Sequence, residues 1–171
     1  MEQVKYEFDD FFAIVGDEDK GFVAKIHEML LQKNHKVKIA TKGKKTVQFT
    51  VTYSEAKTRR NMAKFSTKKN GLSVQIYTRN YDKYLDVLSG LPVTMISQMS
   101  EAYDCKNLVK LKPGEKTCSW EDCSGYDFHI GKTHFQKCSY YSFEFNVEAE
   151  SVPFLHGIIE AELNARATVE A

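Results

Sequence analysis

The spacing of apolar residues changes along the chain. Phe22, Ile26 and Leu30 recur at every fourth position, which predicts an amphipathic helix over about residues 19–33. A shorter helix is predicted before it, over residues 6–15, where a group of apolar residues is interrupted by Asp9 and Asp10. Beyond the second helix the period becomes two, because apolar side chains alternate with Lys, Thr and Gln. We therefore expect two helices followed by β-strands.

Four strands are predicted in this alternating region. The first contains Val37 and Ile39, the second runs from Val47 to Tyr53, and the third runs from Arg59 to Ser66. The fourth begins at Leu72, after an Asn-Gly turn. One face of these strands is apolar and the other carries Lys, Arg, Thr and Gln. Such a pattern indicates an antiparallel β-meander that packs against helices on one side and meets water on the other.

The second half of the sequence predicts a mixture of elements. Helices are expected at Tyr81–Leu88 and Val93–Tyr103, a strand at Tyr126–Ile130, a second strand from His134 through Val147, and a closing helix with Ser151 as its N-cap. The fold class is thus α+β, an antiparallel β-meander packed against helices with a cysteine-rich hairpin extension. We expect a single domain over residues 1–171, with residues 105–138 as a cysteine-rich, zinc-stapled subregion.

All four cysteines of the chain lie close together, at Cys105, Cys118, Cys123 and Cys138. Four thiolates satisfy a closed tetrahedral Zn²⁺ site, which has no position left for substrate and is therefore structural. The spacing lacks the paired short intervals of a zinc ribbon. Unliganded thiols, a redox pair and an iron–sulfur cluster therefore remain alternatives.

Two histidines, His129 and His134, flank the predicted hairpin near the cysteines. Either could replace a cysteine as a metal ligand, although a lone histidine on a hairpin is more often exposed or hydrogen-bonded. A Cys–His nucleophile is a further alternative. The motifs of nucleotide-binding loops, zinc proteases and serine hydrolases are absent from the sequence, so the protein is more readily interpreted as a binding module than as an enzyme.

Charge is distributed unevenly along a chain whose formal net charge is only +1. Residues 33–69 contain twelve Lys or Arg and one acid, Glu55, which gives +11. Because the chain has 24 basic and 23 acidic residues, the remainder carries 12 minus 22, or −10. The candidate anion-binding residues are Lys36, Lys38, Lys45, Arg59, Arg60 and Lys64.

A basic sheet face of this kind attracts nucleic acid or an acidic protein surface. The acidic C-terminal segment, with Glu148, Glu160 and Glu162, offers another explanation. It could neutralise the basic face within the fold or across a homodimer. Lysines on an edge strand also serve to prevent strand pairing between molecules.

The N-terminal residues are acidic where a secretory signal would be basic and then apolar, and no apolar run approaches the ~20 residues that span a membrane. We expect a cytoplasmic protein without a membrane segment. That compartment also keeps thiols reduced.

Several stretches spread over most of the chain carry a resemblance: Lys57–Arg60, Lys68–Leu72, Tyr84–Pro92, Cys105-Lys106, Cys123–Phe128 and Phe135–Cys138. In these the chain resembles a family of uncharacterised bacterial cytosolic proteins with a four-cysteine C-terminal region. Members of that family often carry another cysteine where this sequence has Ser142. The resemblance implies the cysteine positions but no activity.

The sequence therefore predicts a non-enzymatic binding module with a structural zinc site and a basic sheet face for a polyanion. The alternative is a thiol-based redox or metal-responsive protein that uses Cys118 and Cys123. These two differ in how the thiols respond to mild oxidant, because structural zinc protects its ligands whereas a switch forms a reversible disulfide.

Overall fold

The structure, a computed structural model, describes residues 5–43, 48–69, 71–119 and 125–169. The chain divides into two compact units, one of Met1–Gln75 with Asn146–His156 and the other of Ile76–Phe145 with Gly157–Ala171. The single domain over residues 1–171 stays a prediction. The elements are α1 (Phe8–Ile14), α2 (Asp17–Gln32), β1 (His35–Lys42), β2 (Gln48–Glu55), β3 (Asn61–Lys68), β4 (Gly71–Ile76), a 3₁₀ turn (Tyr81–Lys83), α3 (Leu85–Ser89), α4 (Val93–Ser100), β5 (Tyr126–Ile130), β6 (Thr133–Lys137), β7 (Phe143–Asn146) and α5 (Val152–Val169).

The larger sheet has five strands in the order β1-β2-β3-β4-β7, and β5 and β6 form a separate hairpin. The predicted α+β class, with an antiparallel sheet and helices, is confirmed. The described residues contain no helix that combines the length and the apolar character needed to cross a membrane.

The first unit is held by aromatic side chains between the helices and the sheet. Phe11 of α1 packs against Phe49 and Phe65, with ring centroids 6.4 and 6.3 Å away. Phe22 of α2 approaches Phe65 edge-on at 5.9 Å. All four rings are buried. The inward faces of β2 and β3 are therefore those that the alternating pattern predicts, because every second residue of a strand points to the same side.

Two sequence predictions about strands were wrong. β3 begins at Asn61 rather than at Arg59, because the pairing of β2 with β3 shifts register after Tyr53 and Arg59 adopts a positive φ of 59°. The strand after His134 ends at Lys137 instead of running to Val147. There the Ser142 amide donates to the Cys138 carbonyl at 3.0 Å and closes a turn, after which β7 belongs to the larger sheet.

The helix boundaries also differ from the prediction in the second half of the chain. The segment from Tyr81 to Leu88 is a 3₁₀ turn followed by the short α3, and α4 ends at Ser100 rather than at Tyr103. α5 begins directly after Ser151, as predicted. The Ser151 hydroxyl donates toward the carbonyls of Asn146 and Glu148, so it stabilises the turn that precedes the helix.

The second unit contains a buried polar cluster centred on Glu162, whose side chain is 0% exposed. Arg166 Nε donates to its carboxylate at 2.7 Å, and Tyr84 Oη donates at 2.6 Å. Asn80 adds its backbone and side-chain N–H groups, each at 3.0 Å. Burial is the main cause that raises the pKa of Tyr84, and the negative charge of Glu162 is the second. Glu162 is thus buried and its charge is paired with Arg166.

Removal of either charge of the buried pair should be strongly destabilising. We expect Glu162→Ala to lower the free energy of unfolding by about 3–5 kcal/mol, because it leaves the Arg166 guanidinium, 11% exposed, without its carboxylate. The double variant Glu162→Leu/Arg166→Met removes both charges and should recover much of that loss. Urea unfolding followed by circular dichroism measures both values. Additive losses in the double variant would contradict this view of the pair.

The His27 ring is enclosed in the first unit. It stacks on Phe8 at a centroid distance of 3.6 Å and lies 2.9 Å through Nδ1 from Tyr53 Oη. Burial lowers the pKa of His27 more than the charges of Glu28 and Asp9 raise it. The folded chain thus favours the neutral imidazole.

The lowered pKa of His27 predicts the direction in which stability changes with pH. The unfolded chain binds the proton first as pH falls through the ordinary histidine pKa of about 6.5, so stability should decrease below that pH. We expect the thermal midpoint of the natural protein to fall between pH 7 and pH 5, and that of His27→Gln to fall less. His156→Gln serves as the matched control. Equal slopes for His27→Gln and the natural chain would contradict the prediction.

Candidate functional site

Three of the four predicted zinc ligands border one open pocket. Cys105, Cys118 and Cys138 line a pocket of about 570 Å³. Cys105 is buried and the other two are half-buried, and none of these three cysteines is in a disulfide. The remaining lining residues are Tyr103, Asp104, Lys106, Thr117, Ser119, Tyr140 and Tyr141.

Backbone pairing sets the positions of Cys105 and Cys138. Asp104 and Lys137 form an isolated antiparallel bridge. On either side of it, the Cys105 amide donates to the Gln136 carbonyl at 2.9 Å and the Cys138 amide donates to the Tyr103 carbonyl at 2.7 Å. Because side chains alternate across paired strands, Cys105 and Cys138 lie on the same side of this pairing.

Local chain geometry also encloses the Cys105 thiol. Its carbonyl accepts from the amides of Leu108 and Val109, which turns the chain immediately after the cysteine. Gly125 has a φ of +65°, and a Cβ there would lie 2.7 Å from Cys105 Sγ. A glycine is therefore required at this position both by conformation and by close approach. Gly125 follows Cys123 by two positions in sequence.

The complete ligand set extends beyond the described part of the chain, because Cys123 lies outside it. Among the described residues, no group of three or more His, Cys, Asp or Glu side chains has the arrangement of a metal site. The donors that share the pocket are thiols, and thiolates are the ligands that Zn²⁺ prefers in structural sites. Residues 105, 118 and 138 thus supply suitable ligand chemistry around one pocket but do not by themselves form a metal site, and zinc stays a prediction.

The two histidines form a separate pair on the hairpin. His129 and His134 are cross-strand partners whose rings stack at 4.1 Å, and His134 Nε2 lies 2.6 Å from Asp127 Oδ1. The hydrogen bond from His134 is the main cause that lowers the pKa of Asp127, followed by that from Gln136. Neither histidine lines the cysteine pocket.

The predicted basic face has a regular basis in strand register. Lys38, Thr52 and Lys64 are consecutive partners across β1, β2 and β3, and Lys36 pairs with Ser54 in the next row of the same face. Lys36 and Lys38 are exposed and Lys64 is half-buried. Strand spacing separates Lys38 from Lys64 by about 10 Å. We call Lys36, Lys38 and Lys64, with the hydroxyl-bearing residues between them, the basic sheet face.

The two other described residues of the predicted anion-binding set, Arg59 and Arg60, lie outside these rows. Arg59 and Arg60 are exposed in the connection between β2 and β3, where the Glu55 amide donates to the Arg60 carbonyl at 2.9 Å. The Glu55 carboxylate accepts from the Thr58 hydroxyl within the same connection. Lys45 lies outside the described residues.

Sequence reasoning missed the tyrosines of the cysteine pocket and the role of Lys137. Tyr103, Tyr140 and Tyr141 are exposed beside the thiols. Lys137 is only 11% exposed on its side chain, and its Nζ donates to Ser100 O, Ala102 O and Asp104 Oδ1. The tyrosine pair that follows Cys138 is a visible sequence signal. The partners of Lys137 depend on tertiary contacts and have no such signal.

Comparison of the chain with protein-family models, with curated proteins and with solved structures gave no match. The resemblance drawn from the sequence accordingly stays an expectation.

The zinc prediction is tested by elemental analysis of protein purified without an affinity tag or chelator. We expect about one zinc per chain and four thiols that react only after denaturation, since thiolate ligation protects them. Single serine substitutions at Cys105, Cys118 and Cys138 should lower the zinc content and the thermal midpoint. Ser119→Ala changes a pocket residue that is not a predicted ligand and should retain zinc. Metal-free natural protein with reactive thiols would refute the prediction.

Proposed function

We propose that this protein is a non-enzymatic binding module that holds a polyanion, specifically nucleic acid, on its basic sheet face. The observation that carries the proposal is the strand register, which aligns Lys36, Lys38 and Lys64 with Thr and Ser hydroxyls on one face. Ammonium groups attract phosphates, and the hydroxyls between them can donate hydrogen bonds to phosphate oxygens. The rows therefore form a phosphate-binding surface without base-specific contacts.

The charge around this face supports the same proposal. Residues 33–69 have a net charge of +11, and their single acid, Glu55, accepts a hydrogen bond from Thr58. Arg59 and Arg60 add two exposed guanidinium groups at one end of β3. Phosphate contacts of this type release counterions, so affinity depends steeply on salt and weakly on sequence.

In this proposal the cysteine pocket has a structural role. Zinc bound by Cys105, Cys118, Cys138 and Cys123 would pin the irregular segment between α4 and β5. The described part of that segment includes an exposed, polar stretch with few buried side chains of its own. Metal ligation is a common way to order a segment that has too little core to order itself.

Charge reversal tests the basic sheet face. We expect the triple variant Lys36→Glu/Lys38→Glu/Lys64→Glu to lose detectable binding to a 20-base-pair DNA duplex. For the natural protein, three phosphate contacts predict that affinity falls about 40-fold between 50 and 200 mM salt. Fluorescence anisotropy with a labelled duplex measures both effects.

The matched control changes charge by the same amount elsewhere. Lys25, Lys83 and Lys132 are exposed and lie outside the basic sheet face, so their simultaneous change to Glu should weaken binding much less. Equal losses in the two triple variants would show that only net charge matters. Absent or salt-independent binding by the natural protein would refute the proposal.

A second candidate function follows from the state of the thiols. Cys118 and Cys138 are half-buried beside the same open pocket, so an oxidant could reach them. In that case the protein would be a thiol-based redox or metal-responsive regulator. A reversible disulfide that forms under mild peroxide without loss of the fold, in metal-free protein, would favour it over structural zinc.

A further inference from the structure

Three exposed tyrosines form one surface beside the cysteine pocket. Tyr103, Tyr140 and Tyr141 are 68%, 55% and 49% exposed. The rings of Tyr103 and Tyr141 lie 4.6 Å apart at 36°, and Tyr140 meets Tyr141 edge-on at 5.2 Å. We call these three residues the tyrosine surface. Large exposed aromatic groups that cluster in this way are typical of binding sites.

The backbone holds this surface in place. The Tyr103 carbonyl accepts from the Cys138 amide at 2.7 Å, which anchors Tyr103 to the chain just before the other two tyrosines. The turn closed by Ser142 N and Cys138 O, 3.0 Å apart, then brings Tyr141 against Tyr103. Main-chain hydrogen bonds therefore hold the backbone segments that carry Tyr103 and Tyr141.

The charge beside the tyrosine surface is positive. Lys106 borders the same pocket, and the segment 106–119 carries three more exposed lysines, at Lys110, Lys112 and Lys116, against a single acid. Asp104 also borders the pocket, but its carboxylate lies 2.7 Å from the ammonium of Lys137, which compensates its charge.

We propose that the tyrosine surface stacks the bases of single-stranded nucleic acid while Lys106 and its neighbouring lysines contact the phosphates. Aromatic side chains beside a positively charged groove are the arrangement by which proteins bind unpaired strands. Lysines are depleted in the cores of protein–protein interfaces, so their density here favours nucleic acid over a protein partner.

This inference rests on the proposed function in one respect, because both take nucleic acid as the polyanion. The two differ in what is recognised. The basic sheet face offers phosphate contacts alone, whereas the tyrosine surface needs exposed bases. The probes should therefore separate bases from phosphates: oligo(dT) of 20 nucleotides, an abasic oligonucleotide of the same length, and a 20-base-pair duplex.

Two pairs of variants test the tyrosine surface by fluorescence anisotropy. Tyr103→Leu/Tyr141→Leu keeps apolar bulk but removes the rings, and Tyr103→Phe/Tyr141→Phe keeps the rings. The natural protein should bind oligo(dT) at least about 10-fold more tightly than the abasic strand. The Leu pair should abolish that preference and leave duplex binding unchanged. The Phe pair should retain it, and comparable circular dichroism and thermal midpoints establish that both variants fold.

Several results would overturn the inference. Equal affinity of the natural protein for oligo(dT) and the abasic strand would leave only phosphate binding, in which case the proposed function survives alone. If the natural protein binds neither the single strands nor the duplex, both proposals are refuted. A dimer that sedimentation detects in the natural protein but not in the Leu pair would assign the tyrosine surface to self-association. Loss of the preference in both variant pairs, with the fold intact, would also contradict stacking.

Discussion

The arrangement of the candidate site depends on one buried ammonium group. Lys137 Nζ donates to Ser100 O and Ala102 O at 2.6 and 2.9 Å and to Asp104 Oδ1 at 2.7 Å. The carbonyls at the end of a helix lack partners within the helix, and a cation there is favourable. Lys137 therefore connects the end of α4 to β6. The Asp104–Lys137 bridge that results carries Cys105 on one strand and Cys138 on the other.

The same pairing sorts side chains onto two faces. Tyr103, Cys105 and Cys138 share one side of the pairing and line the pocket, which Asp104 also borders. The Lys137 ammonium is bonded to Ser100 O, Ala102 O and Asp104 Oδ1. The Glu162 cluster, also in the second unit, is another buried charge with several partners. Glu162 accepts hydrogen bonds from Arg166, Tyr84 and Asn80.

Much of the fold could be predicted from periodicity, because α2 and β2 each bury one regular face. The helix spacing of Phe22, Ile26 and Leu30 and the alternation through Phe49 and Tyr53 are each visible in the sequence. The errors lie where local geometry overrides pattern. A register shift displaces the start of β3, and the turn closed by Ser142 interrupts what reads as one alternating strand from His134 onward.

The site was predictable only in part, for a related reason. Thiol chemistry and clustering indicated Cys105, Cys118 and Cys138, and strand alternation placed Lys36, Lys38 and Lys64 on one face. Composition grouped Glu162 with the other acids of the C-terminal segment, because a sequence shows charges but not their burial. The i, i+4 spacing of Glu162 and Arg166 was the available sign that the two could pair.

The backbone of Cys138 connects the predicted zinc ligands with the tyrosine surface. The Cys138 amide is bonded to the Tyr103 carbonyl, and the Cys138 carbonyl closes the turn that positions Tyr141. Ligation of Cys138 by a metal would therefore restrain the segment that sets the stacking geometry, without adding any contact to a base. The lysine rows of β1–β3 have no such dependence, because their spacing comes from strand register. If both proposals hold, thiol chemistry would thus act on base recognition through the segment that carries Cys138.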